Sequence, residues 1–122
     1  MIFELGYVKV KARIWNIEEP NYYRDIELLA DTGAIYTVVP ASILNELKIK
    51  VIGKRKFRLA NNEVIERDVG IIGIKINELT THSIVVFGDE NVYLLGTVTL
   101  EELGLKVNPA TGELEPLELL LM

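Results

Sequence analysis

The chain has 122 residues, 49% of them apolar and 25% charged, with a formal net charge of −5; that is room for one domain, 1–122, and too little for two. Cys is absent and His82 is the single histidine, which excludes a disulfide framework, a thiol nucleophile and a zinc site built on two histidines. The acidic balance argues against general nucleic-acid binding, no apolar run reaches the length of a membrane span, and Met1–Gly6 carries Glu4 without a basic n-region, so no signal peptide and a cytoplasmic location are expected.

The pattern reads as mainly β. Between Ile2 and Ile17, Val8, Val10, Ala12 and Ile14 alternate with Lys9, Lys11 and Arg13, a period-2 strand with one polar face. Pro20-Asn21 marks a turn, and Tyr22–Ala30 is a second strand, interrupted by Asp31-Thr32-Gly33. Ile35–Val39 is β-branched and apolar, hence a buried strand. Pro40 stops it and suits the first turn of a short helix over Ala41–Leu47. Arg55–Leu59 and Glu63–Arg67 predict a hairpin turning at Ala60-Asn61-Asn62, where Asn tolerates left-handed backbone. Separate strands are expected at Ile71–Ile76, Ser83–Phe87 and Asn91–Leu95. A second helix is expected over Thr99–Leu103, capped by Thr99 and ended by Gly104. Asn108–Gly112 reads as a turn, and Glu113–Met122 as a final strand.

An internal echo runs through these elements. Leu44–Val51 (LNELKIKV) matches Leu100–Val107 (LEELGLKV) at five of eight positions, and each copy follows an apolar strand. A two-fold repeat of strand, turn and helix would produce it.

The segment with the most chemistry is Leu28-Leu29-Ala30-Asp31-Thr32-Gly33-Ala34. A carboxylate ends a buried strand, followed by a hydroxyl and a glycine. Asp, Thr and Gly all favour an ordinary strand-end turn, yet N–H groups of such a turn can also point back at the carboxylate and orient it. The stretch resembles the active-site loop of retroviral-type, retropepsin-like aspartic proteases. That family's second signature, two apolar residues, a glycine and a helix, is matched by Leu94-Leu95-Gly96 and Thr97–Leu103. The hairpin lies where the family has its flap, and the echo fits its pseudo-repeat.

The resemblance implies a closed β-barrel acid-protease fold with one or two short helices, and a homodimer, since the chain has a single Asp-Thr-Gly. It implies an endopeptidase using a dyad of Asp31 and the partner subunit's Asp31, with Thr32 and Gly33 as further catalytic-loop residues. Ala34, Ala60, Asn61, Asn62 and Leu95 would touch a peptide or unfolded-protein substrate. Ile35, Val38, Val64, Ile65 and Leu94 would add apolar pocket walls. No metal, cofactor or covalent intermediate is implied. The sequence departs from the pattern twice. No Gly lies in residues 54–69, where retroviral flaps are glycine-rich, and Thr97 follows Gly96 where those enzymes commonly place Arg.

Two further features have competing readings. Leu117, Leu119 and Leu121 alternate with Glu118, Leu120 and Met122, so the terminal strand either pairs across a dimer or stays within its own subunit. Lys48, Lys50, Lys54, Arg55, Lys56 and Arg58 are a solvated edge, an attractor of acidic substrate segments, or a minor nucleic-acid contact. With Phe57 as the one interleaved aromatic, a stacking platform is not expected. His82 is expected on a surface loop without function, and Trp15 and the tyrosines in packing. The rival to an enzyme is an inactive peptide-binding or dimerisation module on the same fold, using its cleft for strand addition. A weaker rival is a nucleic-acid accessory protein.

Overall fold

The structure is a computed structural model, and it describes residues 7–118 and 121. Strands β1 (Tyr7–Trp15) and β2 (Tyr23–Asp31) form an antiparallel hairpin in register from Tyr7↔Asp31 to Trp15↔Tyr23. The alternation seen in the sequence puts Val10, Ala12 and Ile14 inside and Lys9, Lys11 and Arg13 outside. Then come β3 (Thr37–Pro40), helix α1 (Ala41–Glu46), β4 (Gly53–Arg58), β5 (Val64–Ile76), β6 (Leu79–Gly88), the two-residue β7 (Leu94–Leu95) and helix α2 (Thr97–Leu103). A small second sheet pairs β8 (Leu105–Asn108) with β9 (Glu113–Pro116).

The main sheet runs β1-β2-β7-β3-β6-β5-β4, and β1 also pairs with β5 through Arg13↔Lys75 to Trp15↔Gly73. Six strands therefore close into a ring, with β4 hanging from β5 as the outer arm of a hairpin. This ring takes the place of the closed barrel expected from the sequence. Ile14, Leu28, Leu44, Ile72, Ile74 and Leu95 are fully buried inside it, each contributing about 1.5–3 kcal/mol by leaving water.

Ile71–Ile76 is not a separate strand. β5 runs unbroken for 13 residues, first along β4 and then along β6. Its glycines mark close approach rather than a break. A Cβ on Gly70 would lie 2.7 Å from the Lys50 carbonyl oxygen and 2.9 Å from the Ile49 side chain, and one on Gly73 would collide with the Trp15 ring. The terminal strand is also shorter than expected. β9 ends at Pro116, Leu117 N–H donates to the Gly104 carbonyl at 2.8 Å, and Leu119, Leu120 and Met122 lie outside the described residues.

The echo is real in three dimensions. Leu44, Leu47 and Ile49 are buried, as are their counterparts Leu100, Leu103 and Leu105. The chain turns left-handed at the matched position after each helix, at Lys48 with φ 59°, one residue beyond the α1 cap Leu47, and at the α2 cap Gly104 with φ 74°. No side chain meets a Cβ built at Gly104, so Gly104→Ala isolates the backbone cost. It is expected to lower stability by about 1 kcal/mol in urea unfolding. An unchanged midpoint would show that the left-handed turn costs an L-residue nothing there.

Candidate active site

Asp31 is the last residue of β2, and its position is set by three short strands. β7 lies between β2 and β3, parallel to β2 (Leu29↔Leu94, Ala30↔Leu95) and antiparallel to β3 (Val38↔Leu94). Leu29 N–H donates to the Tyr93 carbonyl at 2.9 Å. The loop from Asp31 to Tyr36 must therefore arch over the end of β7, directly above the start of α2.

The loop holds its own carboxylate. Gly33 N–H donates to Asp31 Oδ1 at 2.8 Å, and Ala34 N–H donates to the Asp31 carbonyl at 3.0 Å. A Cβ on Gly33 would sit 3.3 Å from Asp31 Oδ1, so a larger residue would crowd the acid. Asp31 is half-buried, and Thr32 and Gly33 are exposed at the apex.

Helix α2 holds the loop from beneath. The first N–H groups of a helix have no partner within it, and here the loop supplies them. Thr97 N–H donates to the Ala34 carbonyl at 2.9 Å, and Val98 N–H to the Ile35 carbonyl at 3.0 Å. Gly96 N–H donates to Thr37 Oγ1 at 3.1 Å. Gly96 has ordinary extended dihedrals; it is glycine for space, because a Cβ there would land on the backbone of Ile35 and Tyr36. Thr99 is not the helix cap expected from the sequence. Gly96 caps the helix, and no side chain takes part.

Thr99 instead belongs to a buried chain of hydroxyls. Thr37 Oγ1 and Thr99 Oγ1 are 2.6 Å apart, Thr99 Oγ1 and Ser83 Oγ 2.8 Å, and Ser83 Oγ donates to Glu102 Oε1 at 2.6 Å. Thr37 and Thr99 are fully buried. Each hydroxyl has one proton, and a carboxylate only accepts. Ser83 must give its proton to Glu102, so Thr99 gives to Ser83 and Thr37 gives to Thr99. Every bond then points one way, from Gly96 N–H to the Glu102 carboxylate. Sequence reasoning missed Thr37, Ser83 and Thr99. The signal available was three small hydroxyls in otherwise apolar, buried stretches.

Beside the loop lies a groove of about 680 Å³. Asp31, Gly33 and Ala34 line its floor, with Ile35, Tyr36, Val38 and Leu94 alongside. The opposite wall is the β4–β5 hairpin, through Lys56, Phe57, Arg58, Leu59, Ile65 and Arg67. Tyr36 and Phe57 meet edge to face, with centroids 6.3 Å apart, and tie the hairpin to the loop. A second hollow of about 650 Å³, around Lys11, Asp25 and Lys75, lies away from Asp31 on the outside of β1 and β2.

The expected contact residues are placed unevenly. Ala60, Asn61 and Asn62 form the exposed hairpin tip, with Asn62 left-handed at φ 69° and Asn61 Oδ1 accepting Glu63 N–H at 3.0 Å. They stand beyond the groove wall, which is built from the strands below them. Leu95 is fully buried in the core, so it cannot touch a substrate. Side chains alternate along a strand, and it is Leu94 that faces the groove. Val64 is likewise exposed, while Ile65 lines the wall. Of the cationic run, Lys50 pairs with Glu18 at 3.2 Å and Lys54 with Asp68 at 2.6 Å, and Lys56 and Arg58 stand opposite Glu66 and Val64 on the hairpin face that carries the Lys54–Asp68 pair. His82 is exposed on β6, within a strand rather than a loop. Among the described residues, no cluster of acids and histidine could hold a metal, and no helix is long and apolar enough to cross a membrane.

The family model described as gag-polyprotein putative aspartyl protease matches residues 21–102, from before β2 to the end of α2. The chain belongs to this retropepsin-like family. The matched region contains Asp31-Thr32-Gly33, the whole hairpin and Leu94-Leu95-Gly96. No curated protein matches the chain.

The hydroxyl chain makes a sharp prediction for the family's loop. Thr99→Val keeps the shape but strands the Thr37 proton and removes the donor to Ser83. It is expected to cost about 1–3 kcal/mol in urea unfolding at fixed protein concentration. Ser83→Ala removes one buried hydroxyl nearer the open end and is expected to cost less. Wild-type stability for Thr99→Val would show that the chain does not hold the loop.

Proposed function

We propose that this chain, as one domain over 1–122, is an aspartic endopeptidase that works as a homodimer. The observation that carries the reading is Asp31, held by the Gly33 amide on a loop pinned from below, at the floor of a groove of about 680 Å³. Family membership supports the same chemistry.

A single chain has one suitable carboxylate. Asp89 also lines the groove, but Arg67 lies 3.4 Å from it and its side chain is 75% exposed. A second copy would bring the partner subunit's Asp31 to face the first across a two-fold axis. Two carboxylates about 3 Å apart do not both ionise, so the pair shares a proton. The ionised member takes a proton from a water held between them, and that water attacks the peptide carbonyl carbon. The protonated member donates to the carbonyl oxygen, and the amine leaves after protonation. Thr32, exposed beside Asp31, is suited to bonding across the axis, and the Gly33 and Ala34 backbone to bonding an extended substrate. Leu121, beyond β9 and 96% exposed, would add apolar surface to the dimer.

The hairpin would act as the flap that encloses the peptide. Its tip, Ala60-Asn61-Asn62, would close over substrate from a position that is open in the single chain.

The test is Asp31→Asn, which preserves size and the bond from Gly33 N–H but removes the titrating proton. It is expected to abolish cleavage of an unfolded protein, by a factor of at least about 10³, and to leave the dimer intact in sedimentation. Wild-type activity should peak at acid pH and fall on both sides, since the dyad needs one charged and one neutral member. Cleavage by Asp31→Asn at the wild-type rate would assign the activity elsewhere. Binding of extended peptides without cleavage at any pH would favour the inactive peptide-binding module.

A further inference from the structure

The β4–β5 hairpin sorts its charges by face. Side chains alternate along each strand, and on the face turned from the groove Lys54 stands opposite Asp68 and Lys56 opposite Glu66, unlike charges in register. The other face carries Phe57 opposite Ile65, and its next pair towards the hairpin base is Arg55 opposite Arg67. Directly opposed residues have Cβ atoms about 4.5–5.5 Å apart, and like charges placed there destabilise the sheet. The chain does little to relieve this. Among the described residues Arg55 has no ion-pair partner, and Arg67 meets only Asp89, at 3.4 Å, beyond the about 2.7–2.9 Å of a close charge-assisted bond. Both guanidiniums are nonetheless held. Arg55 Nη1 donates to the Lys54 carbonyl at 3.2 Å and Arg67 Nη1 to the Glu66 carbonyl at 3.1 Å. Gly53 leaves room for the first, whose Nη1 lies 3.9 Å from where a Cβ on Gly53 would stand. A guanidinium has five N–H donors, and among the described residues Arg55 uses one and Arg67 two.

We infer that Arg55 and Arg67 form a binding site for one oxyanion, a carboxylate or phosphate group seated between the two guanidiniums on the hairpin wall of the groove. The anion replaces a cross-strand repulsion with two attractions, and the planar donor forks suit its oxygens. Asp89, whose side chain is 75% exposed, is displaced from Arg67 as the anion enters. Arg67 and the neighbouring Phe57 and Ile65 line the groove, so the oxyanion arrives either free or on a side chain of an extended occupant. The site is open to solvent, so its affinity is modest and weakens with salt. It goes beyond the peptidase reading and does not rest on it.

The probe is inorganic phosphate, titrated into isotope-labelled protein at low salt while the arginine Nε–Hε resonances are followed. Those of Arg55 and Arg67 are expected to move together and saturate. Arg55→Gln and Arg67→Gln should each weaken phosphate about three- to fivefold, and 0.5 M sodium chloride should weaken it in the wild type. Lys75→Gln, beside the hollow on the outside of β1 and β2, should leave it unchanged. In phosphate-free buffer Arg55→Gln should unfold at a higher urea concentration than the wild type, because the repulsion is gone, and phosphate should close that gap. Ten-residue peptides with Glu or Gln beside a Leu-Phe pair, bound to the Asp31→Asn chain, separate the two sources. Tighter Glu peptides, with phosphate abolishing the difference, assign the oxyanion to a groove occupant; saturation by phosphate with equal Glu and Gln peptides assigns it to a free anion. No saturation at either arginine together with equal Glu and Gln peptides would overturn the site, as would a loss from Lys75→Gln equal to that from Arg55→Gln. None of these measurements depends on cleavage, so failure of the site and failure of the peptidase reading are told apart.

Discussion

A loop that carries a carboxylate to the surface has little apolar area with which to fix itself, and its backbone groups need partners. In this chain that need meets the equal and opposite need of a helix start. The unpaired N–H groups of α2 donate to Ala34, Ile35 and Thr37, so the loop acts as the helix cap and the helix as the loop's foundation. Neither a capping side chain nor a large residue at Gly96 is compatible with this arrangement, because the two backbones touch there. The short β7, the glycine after it and the buried hydroxyl at Thr37 are consequences of the same contact.

The hydroxyl chain extends that constraint through the interior. Its fixed direction makes Thr37 an acceptor from Gly96 N–H at the start of α2 and a donor towards Thr99, and leaves it no freedom to turn. Buried polar groups of this kind stabilise only when every member is satisfied, and no buried side-chain polar atom among the described residues lacks a partner. The result is a floor specified by hydrogen bonds and walls specified by packing. The hairpin wall leans on Tyr36 through Phe57 alone in aromatic contact, while its tip turns on a left-handed Asn. The floor is thus fixed by hydrogen bonds, while the hairpin above it is held near its base.

Much of this was legible in the residues. Asp31-Thr32-Gly33 and Leu94-Leu95-Gly96 stand out because their chemistry is unusual in combination, and the paired helix ends follow from the echo at Lys48 and Gly104. The alternation of Val8 to Ile14 fixed one strand face correctly. Other features depend on contacts far apart in sequence. Gly70 and Gly73 look like breaks in a strand, and only the approach of Lys50 and Trp15 explains them. Thr99 has the composition of a cap, but its burial against Thr37, 62 residues away, decides its role. β8 went unread because Leu105-Lys106-Val107 is short and finds its partner only across the Asn108–Gly112 turn. The sequence places both Leu94 and Leu95 at the groove, because in a two-residue strand either parity fits the pattern, and only the pairing of β7 with its neighbours turns Leu94 to the groove and buries Leu95.

The two halves of the repeat have diverged in a way that bears on the proposed dimer. Each has an apolar strand leading into a helix with a left-handed residue after it, but an Asp-Thr-Gly loop precedes only the first, and only the second helix reaches across to hold that loop. The second half thus serves as scaffold for the carboxylate of the first. A proton-sharing pair needs two equivalent acids in matched surroundings, and within one chain the remaining groove acid, Asp89, sits against a guanidinium in open solvent. Its surroundings do not match those of Asp31, which is half-buried and held by the Gly33 amide. Equivalence is what a two-fold axis supplies without further sequence, since a second copy brings the same Asp31 on the same pinned loop.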